Sequence, residues 1–105
     1  MKIPETLKIG GHVYKIIFPY VFTERYDLAG DHNGENCEIR IAEKDGDIKR
    51  AKSSVEVTLI HEVLHAIDST TGHRMFAGEE GEKKIEALSE GIYQVLVDNG
   101  YLKKN

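Results

Sequence analysis

The residues with the clearest chemical capacity are His61-Glu62-Val63-Leu64-His65, an H-E-x-x-H. On an α-helix, positions i and i+4 lie one above the other on one face, so the two imidazoles can meet on a single ion. Zinc takes imidazole nitrogen at about 2.0–2.1 Å, and His61 and His65 would fill two corners of its tetrahedron. Glu62 stands about 100° round the helix, off the ligand axis but within reach of a water on the ion. Zinc lowers the pKa of such a water towards about 7, and a neighbouring carboxylate can take its proton as it attacks a carbonyl. The spacing predicts a hydrolytic zinc site with Glu62 as general base.

A catalytic zinc keeps three protein ligands and one open corner. A third histidine at the spacing H-E-x-x-H-x-x-G-x-x-H is excluded, because Asp68 and Thr71 occupy the Gly and His positions, and His73 is off that spacing. The remaining candidates are glutamates of the following segment: Glu79, Glu80, Glu82, Glu86 and Glu90. There Ile85, Leu88, Ile92, Val95 and Leu96 recur at helical spacing. With Ile85 at zero, their stripe is centred near about −20°. On that wheel Glu82 lies at about 60°, Glu86 at about 100° and Glu90 at about 140°. Glu82 falls in the expected first turn, where the helix dipole alone accounts for a carboxylate. The order is therefore Glu86, Glu90, Glu82. Tyr93, at about 80°, is the candidate second electrophile for a developing oxyanion. Asp68 is a candidate to orient an imidazole.

The elements that must hold these residues are legible in outline. Leu7-Lys8-Ile9 and His12 to Phe18 flank Gly10-Gly11, which supplies the positive φ of a tight hairpin. The second strand is apolar on both faces, which predicts cover on both sides, and Pro19 should end it. Residues 23–36 are polar and read as a loop. Cys37, Ile39 and Ile41 alternate with Glu38 and Arg40, the period of a strand with one buried face. Residues 43–52 are charged and contain Gly46, and read as a connector or the frayed start of a helix. Ser53 and Glu56 have the form of a capping box opening the H-E-x-x-H helix, which Gly72 should stop. A link over 73–81 and a helix from Glu79 or Glu82 to Asn99 follow. The order β-β-β-α-α predicts an α+β fold, a sheet of about three strands followed by two helices.

At 105 residues the chain is one domain, 1–105, with 40% apolar and 30% charged residues, a globular balance. Eighteen acidic against fourteen basic residues, net −4, argue against a nucleic-acid partner. The clusters Lys49-Arg50-Lys52 and Lys103-Lys104 are too short to change that and read as solvated. One cysteine, Cys37, excludes internal disulfides and Cys-cluster zinc sites, and reads as a small buried hydrophobe. No apolar run approaches the roughly 20 residues that span a bilayer, so no membrane span is expected. The first residues lack a secretory pattern, which places the protein in the cytoplasm.

Leu59 to Asp68, with Ile85-Glu86-Ala87-Leu88-Ser89-Glu90-Gly91-Ile92-Tyr93-Gln94-Val95-Leu96, resembles small metallopeptidase-like proteins of phages and prophages. These look like minimal relatives of the ImmA/IrrE zinc metallopeptidases, of the gluzincin type. The resemblance implies a minimal zincin-like fold, Glu86 as third zinc ligand, and hydrolysis of a protein or peptide substrate such as a phage or host regulatory protein. The expected activity is that of a zinc-dependent metallopeptidase. An extended substrate would pair with the 37–42 strand. The alternative is a zinc-binding interaction module without turnover, in which the ion is a folding element.

Overall fold

The computed structural model describes residues 1–25 and 27–103; Lys104 of the last basic cluster lies outside the described residues. The elements are β1 (Thr6–Ile9), β2 (His12–Tyr20), β3 (Gly30–Asn33), β4 (Glu38–Ala42), β5 (Lys44–Asp45), β6 (Ile48–Lys49), α1 (Lys52–Thr71) and α2 (Gly78–Asp98). Four strands form a mixed sheet in the order β1-β2-β4-β3, and β5 and β6 pair as a separate ribbon. The architecture is α+β, as the element order predicts. The sheet gains a fourth strand, β3, from the segment read as loop.

The hairpin turns at Gly10-Gly11, both at positive φ, and pairs Ile9 with His12. Strand β2 runs through Pro19 to Tyr20, accommodated by a register shift after Ile17 on its parallel partner β4. Tyr14 and Ile16 face inward with Ile39 and Ile41, and α1 closes this layer with Val55, Leu59 and Ala66. That single sheet–helix interface is the core. Among the described residues no helix covers the opposite face of β2, where Val13 is exposed. There Arg40 lies over the rings of Tyr20 and Phe22 and pairs with Asp31 of β3. Cys37 is half-buried at the turn into β4, with φ 52°, and packs against the core edge.

Helix α1 begins ahead of the expected capping box. Ala51 is the N-cap and no side chain caps it. Glu56 is buried instead, paired with the Met1 ammonium at 2.8 Å and accepting from the Tyr93 hydroxyl at 2.9 Å. Arg50, expected to be solvated, clamps the helix entry by donating to Ala42 O and to Thr58 Oγ1, both at 2.6 Å. Gly72, at φ 73°, stops the helix as expected.

The corner to α2 is fixed by Asp68, whose carboxylate accepts the backbone N–H groups of Met75 (2.7 Å) and Phe76 (2.9 Å). Its role is this anchor rather than orienting an imidazole. Gly81 sits against the Phe76 backbone so closely that a Cβ would overlap it. Helix α2 packs on α1 through Gly81, Ile85 and Ser89. Leu88, Ile92 and Val95, expected to be buried, face outward. Gly81→Ala should therefore cost about 1–3 kcal/mol through overpacking. Gly91→Ala, in open space on the same helix, should be neutral or gain up to about 1 kcal/mol. Urea unfolding of both variants checks the pair.

Candidate metal centre

Helix geometry presents His61 and His65 on one face of α1, with ring centroids 5.0 Å apart. Opposite them, one carboxylate of α2 meets both: Glu82 Oε1 lies 2.7 Å from His61 Nε2, and Oε2 lies 2.8 Å from His65 Nε2. One donor atom from each of the three residues falls within 4.8 Å of the others. Two imidazoles and a carboxylate are a donor set that could hold a divalent ion. Among the described residues this is the group so arranged.

The structure brings Glu82 to the imidazoles, whereas Glu86 ranked first from the sequence. Two features account for this. Helix α2 starts at Gly78, so Glu82 stands in its second turn, beyond the first-turn carboxylates Glu79 and Glu80. The face α2 turns to α1 runs through Gly81, Ile85 and Ser89, which is rolled towards Glu82 relative to the apolar stripe. Glu86 and Glu90 line the same cleft further along, of about 530 Å³. Tyr93 lies beyond them, and its hydroxyl joins α2 to Glu56 rather than facing the imidazoles. His73 is exposed in the link between the helices.

Glu62 differs from the other buried polar residues of α1. Thr58 bonds Ser54 O and Arg50, Asp68 holds the link, and Glu56 has its own partners. The Glu62 carboxyl faces the cleft, and no hydrogen bond or ion pair to it occurs among the described residues. Burial, reinforced by the nearby carboxylates Glu82 and Asp31, pushes its pKa up to about 8.

The far wall is β3, which the sequence reading missed. A Cβ on Gly30 would lie 2.7 Å from Thr58 Cγ2 and 3.3 Å from Glu62 Cγ. The absence of a side chain there lets the strand settle on the helix. Two residues on, the His32 ring stacks on His65, with centroids 5.7 Å apart and planes within 6°. Burial lowers the His32 pKa, the neighbouring His65 adds to that, and Asp31 opposes it. Its place shows only once His32 pairs with Ile39, which puts both on the α1 side of the sheet. Strand β4 is interior, so the expected peptide pairing with 37–42 has no free edge there; the free edge beside the site belongs to β3.

No family model, curated protein or solved structure matches this chain.

A pH dependence follows from Glu62. The unfolded chain ionises this carboxyl near 4.5 and the folded, metal-free protein near 8, so folding favours its neutral form. Stability of the metal-free protein should fall as pH rises through that window. Glu62→Gln removes the penalty. In chelator, the variant should melt above the parent at pH 8, and the gap should close as the pH falls towards 4.5. Melting curves across that range check it; an equal gap at both ends would refute the assignment to Glu62.

Proposed function

We propose that this chain is a zinc-dependent peptidase in which His61, His65 and Glu82 hold the ion and Glu62 is the general base. The observation that carries the reading is the Glu82 carboxylate seated between two Nε2 atoms, beside a buried glutamate whose carboxyl opens only to the cleft. It revises the resemblance to the ImmA/IrrE metallopeptidases at one ligand, with Glu82 in place of Glu86. A bound zinc ion would supply an acidified water and a polarised carbonyl. The other steps belong to the chain. An extended protein or peptide substrate pairs with the free edge of β3, which sets its backbone over Glu62. Glu62 takes a proton from the attacking water and returns it to the leaving amine. His32, whose ring stacks on His65 beside the site, is the candidate second electrophile for the oxyanion, the role the sequence offered to Tyr93. Glu86 and Glu90 line the cleft beyond the ligands. Cys37 is a free thiol, in keeping with a reducing, cytoplasmic setting.

The ligand set is tested by elemental analysis of dialysed protein. The parent and Glu86→Gln should each retain about one zinc per chain, and His61→Ala, His65→Ala and Glu82→Gln should lose most of it. Equal losses for Glu82→Gln and Glu86→Gln would overturn the choice of third ligand. With unfolded casein and fluorogenic peptides as probes, the zinc-loaded parent should hydrolyse substrate. Glu62→Gln should keep its zinc and lose about 100-fold or more in rate. Stoichiometric zinc without hydrolysis by the parent would favour the interaction module instead.

A further inference from the structure

Helix α2 turns a second face to solvent, on the side away from the cleft. Leu88 is 43% exposed, Ile92 37% and Val95 52%, a continuous ridge at helical spacing rather than scattered apolar residues. Midway along it, on the flank next to Leu88 and Val95, is Gly91, exposed, with nothing within 4 Å of the position a Cβ would take. A mid-helix glycine costs about 0.5–1 kcal/mol relative to alanine, and nothing within this fold requires one there. A backbone approaching from outside would.

The charges along the ridge are arranged about that glycine. Lys84 precedes Gly91 by the same interval at which Asp98 follows it, about two helical turns each way. Both are exposed and lie along the line of Leu88 and Val95. A second copy of α2 laid antiparallel, with the two-fold axis at Gly91, therefore places Lys84 of each chain beside Asp98 of the other. The same operation sets Ala87 opposite Val95, small against large. An isologous contact of this kind is self-complementary by symmetry.

We infer that the outer face of α2 is a self-pairing surface on which two copies of this chain dock antiparallel, Gly91 against Gly91 and Lys84 against Asp98. The contact covers Leu88 and Val95 of the apolar ridge and leaves both clefts open, since Glu82, Glu86 and Glu90 lie on the other side of the helix. It is independent of the metal reading. One helix pair buries less than the roughly 800 Å² per partner of a standard interface, so the dimer forms by mass action as concentration rises.

Sedimentation equilibrium over a concentration series tests it. The parent should show a monomer–dimer equilibrium. Lys84→Asp and Asp98→Lys alone should each weaken the dimer about tenfold, since each creates two like-charge contacts per dimer. The double variant Lys84→Asp/Asp98→Lys should return to within about threefold of the parent. Gly91→Gln should abolish pairing while its melting temperature stays level or rises, which separates lost docking from lost folding. A parent that stays monomeric throughout, or a charge swap that fails to restore pairing, would overturn the proposal.

Discussion

The contact on which this structure turns is polar: a single carboxylate, Glu82, bonded through both oxygens to His61 and His65. Helix α2 has little else to hold it. It packs on α1 rather than on the sheet, and the residues it buries are Gly81, Ile85 and Ser89. Of these only Ile85 brings a large apolar side chain. Among the described residues, further attachments include the Tyr93–Glu56 hydrogen bond near one end and the Asp68 anchor at the corner. The position of α2 is thus set by directional bonds at fixed points, not by an extended apolar seam. The contact of Glu82 with the two imidazoles therefore decides how firmly the two helices are joined.

The opposite side of α1 is governed by close approach. Strand β3 follows the helix, with Gly30 over Thr58 and Glu62, His32 over His65, and Gly34 against Ser69. A larger side chain at Gly30 would meet Thr58 and the Arg40 carbonyl, so the strand could not reach this depth. Asp31 meanwhile faces the other side of the sheet, where Arg40 neutralises it. The alternation of a strand thus sorts a short polar segment into one face that lines the site and one that closes the open side of the sheet.

The H-E-x-x-H, the Gly10-Gly11 hairpin, the Gly72 stop and the α+β order were legible because each rests on local chemistry or a strong period. The rest depended on partners distant in sequence. Gly30-Asp31-His32-Asn33 carries no apolar alternation, so β3 is a strand only because β4 offers it a ladder and α1 offers it a surface. Glu56 has the spacing of a capping residue, yet a buried tertiary contact holds it more strongly than the helix start. The third carboxylate was misordered for a related reason. The apolar stripe of α2 is not its inward face, because α2 rests on α1, and that helix presents imidazoles. On the wheel Glu82 lies nearest the stripe, and the start of α2 at Gly78 puts it beyond the first turn.

Glu62 would couple the proposed chemistry to folding. Its carboxyl is buried beside Glu82 and near Asp31, and those surroundings favour the neutral form. The base role proposed for Glu62 would need the ionised form, so on that reading metal-free protein at neutral pH gives up stability or gives up the base. A cation between the imidazoles and Glu82 reverses the local field, because its charge is larger than that of either carboxylate. It would restore the ionised base and tighten the joint between α1 and α2 in one event. On this reasoning metal affinity, helix docking and the protonation of Glu62 are aspects of one equilibrium, and a substitution at any of the three should be felt at the other two.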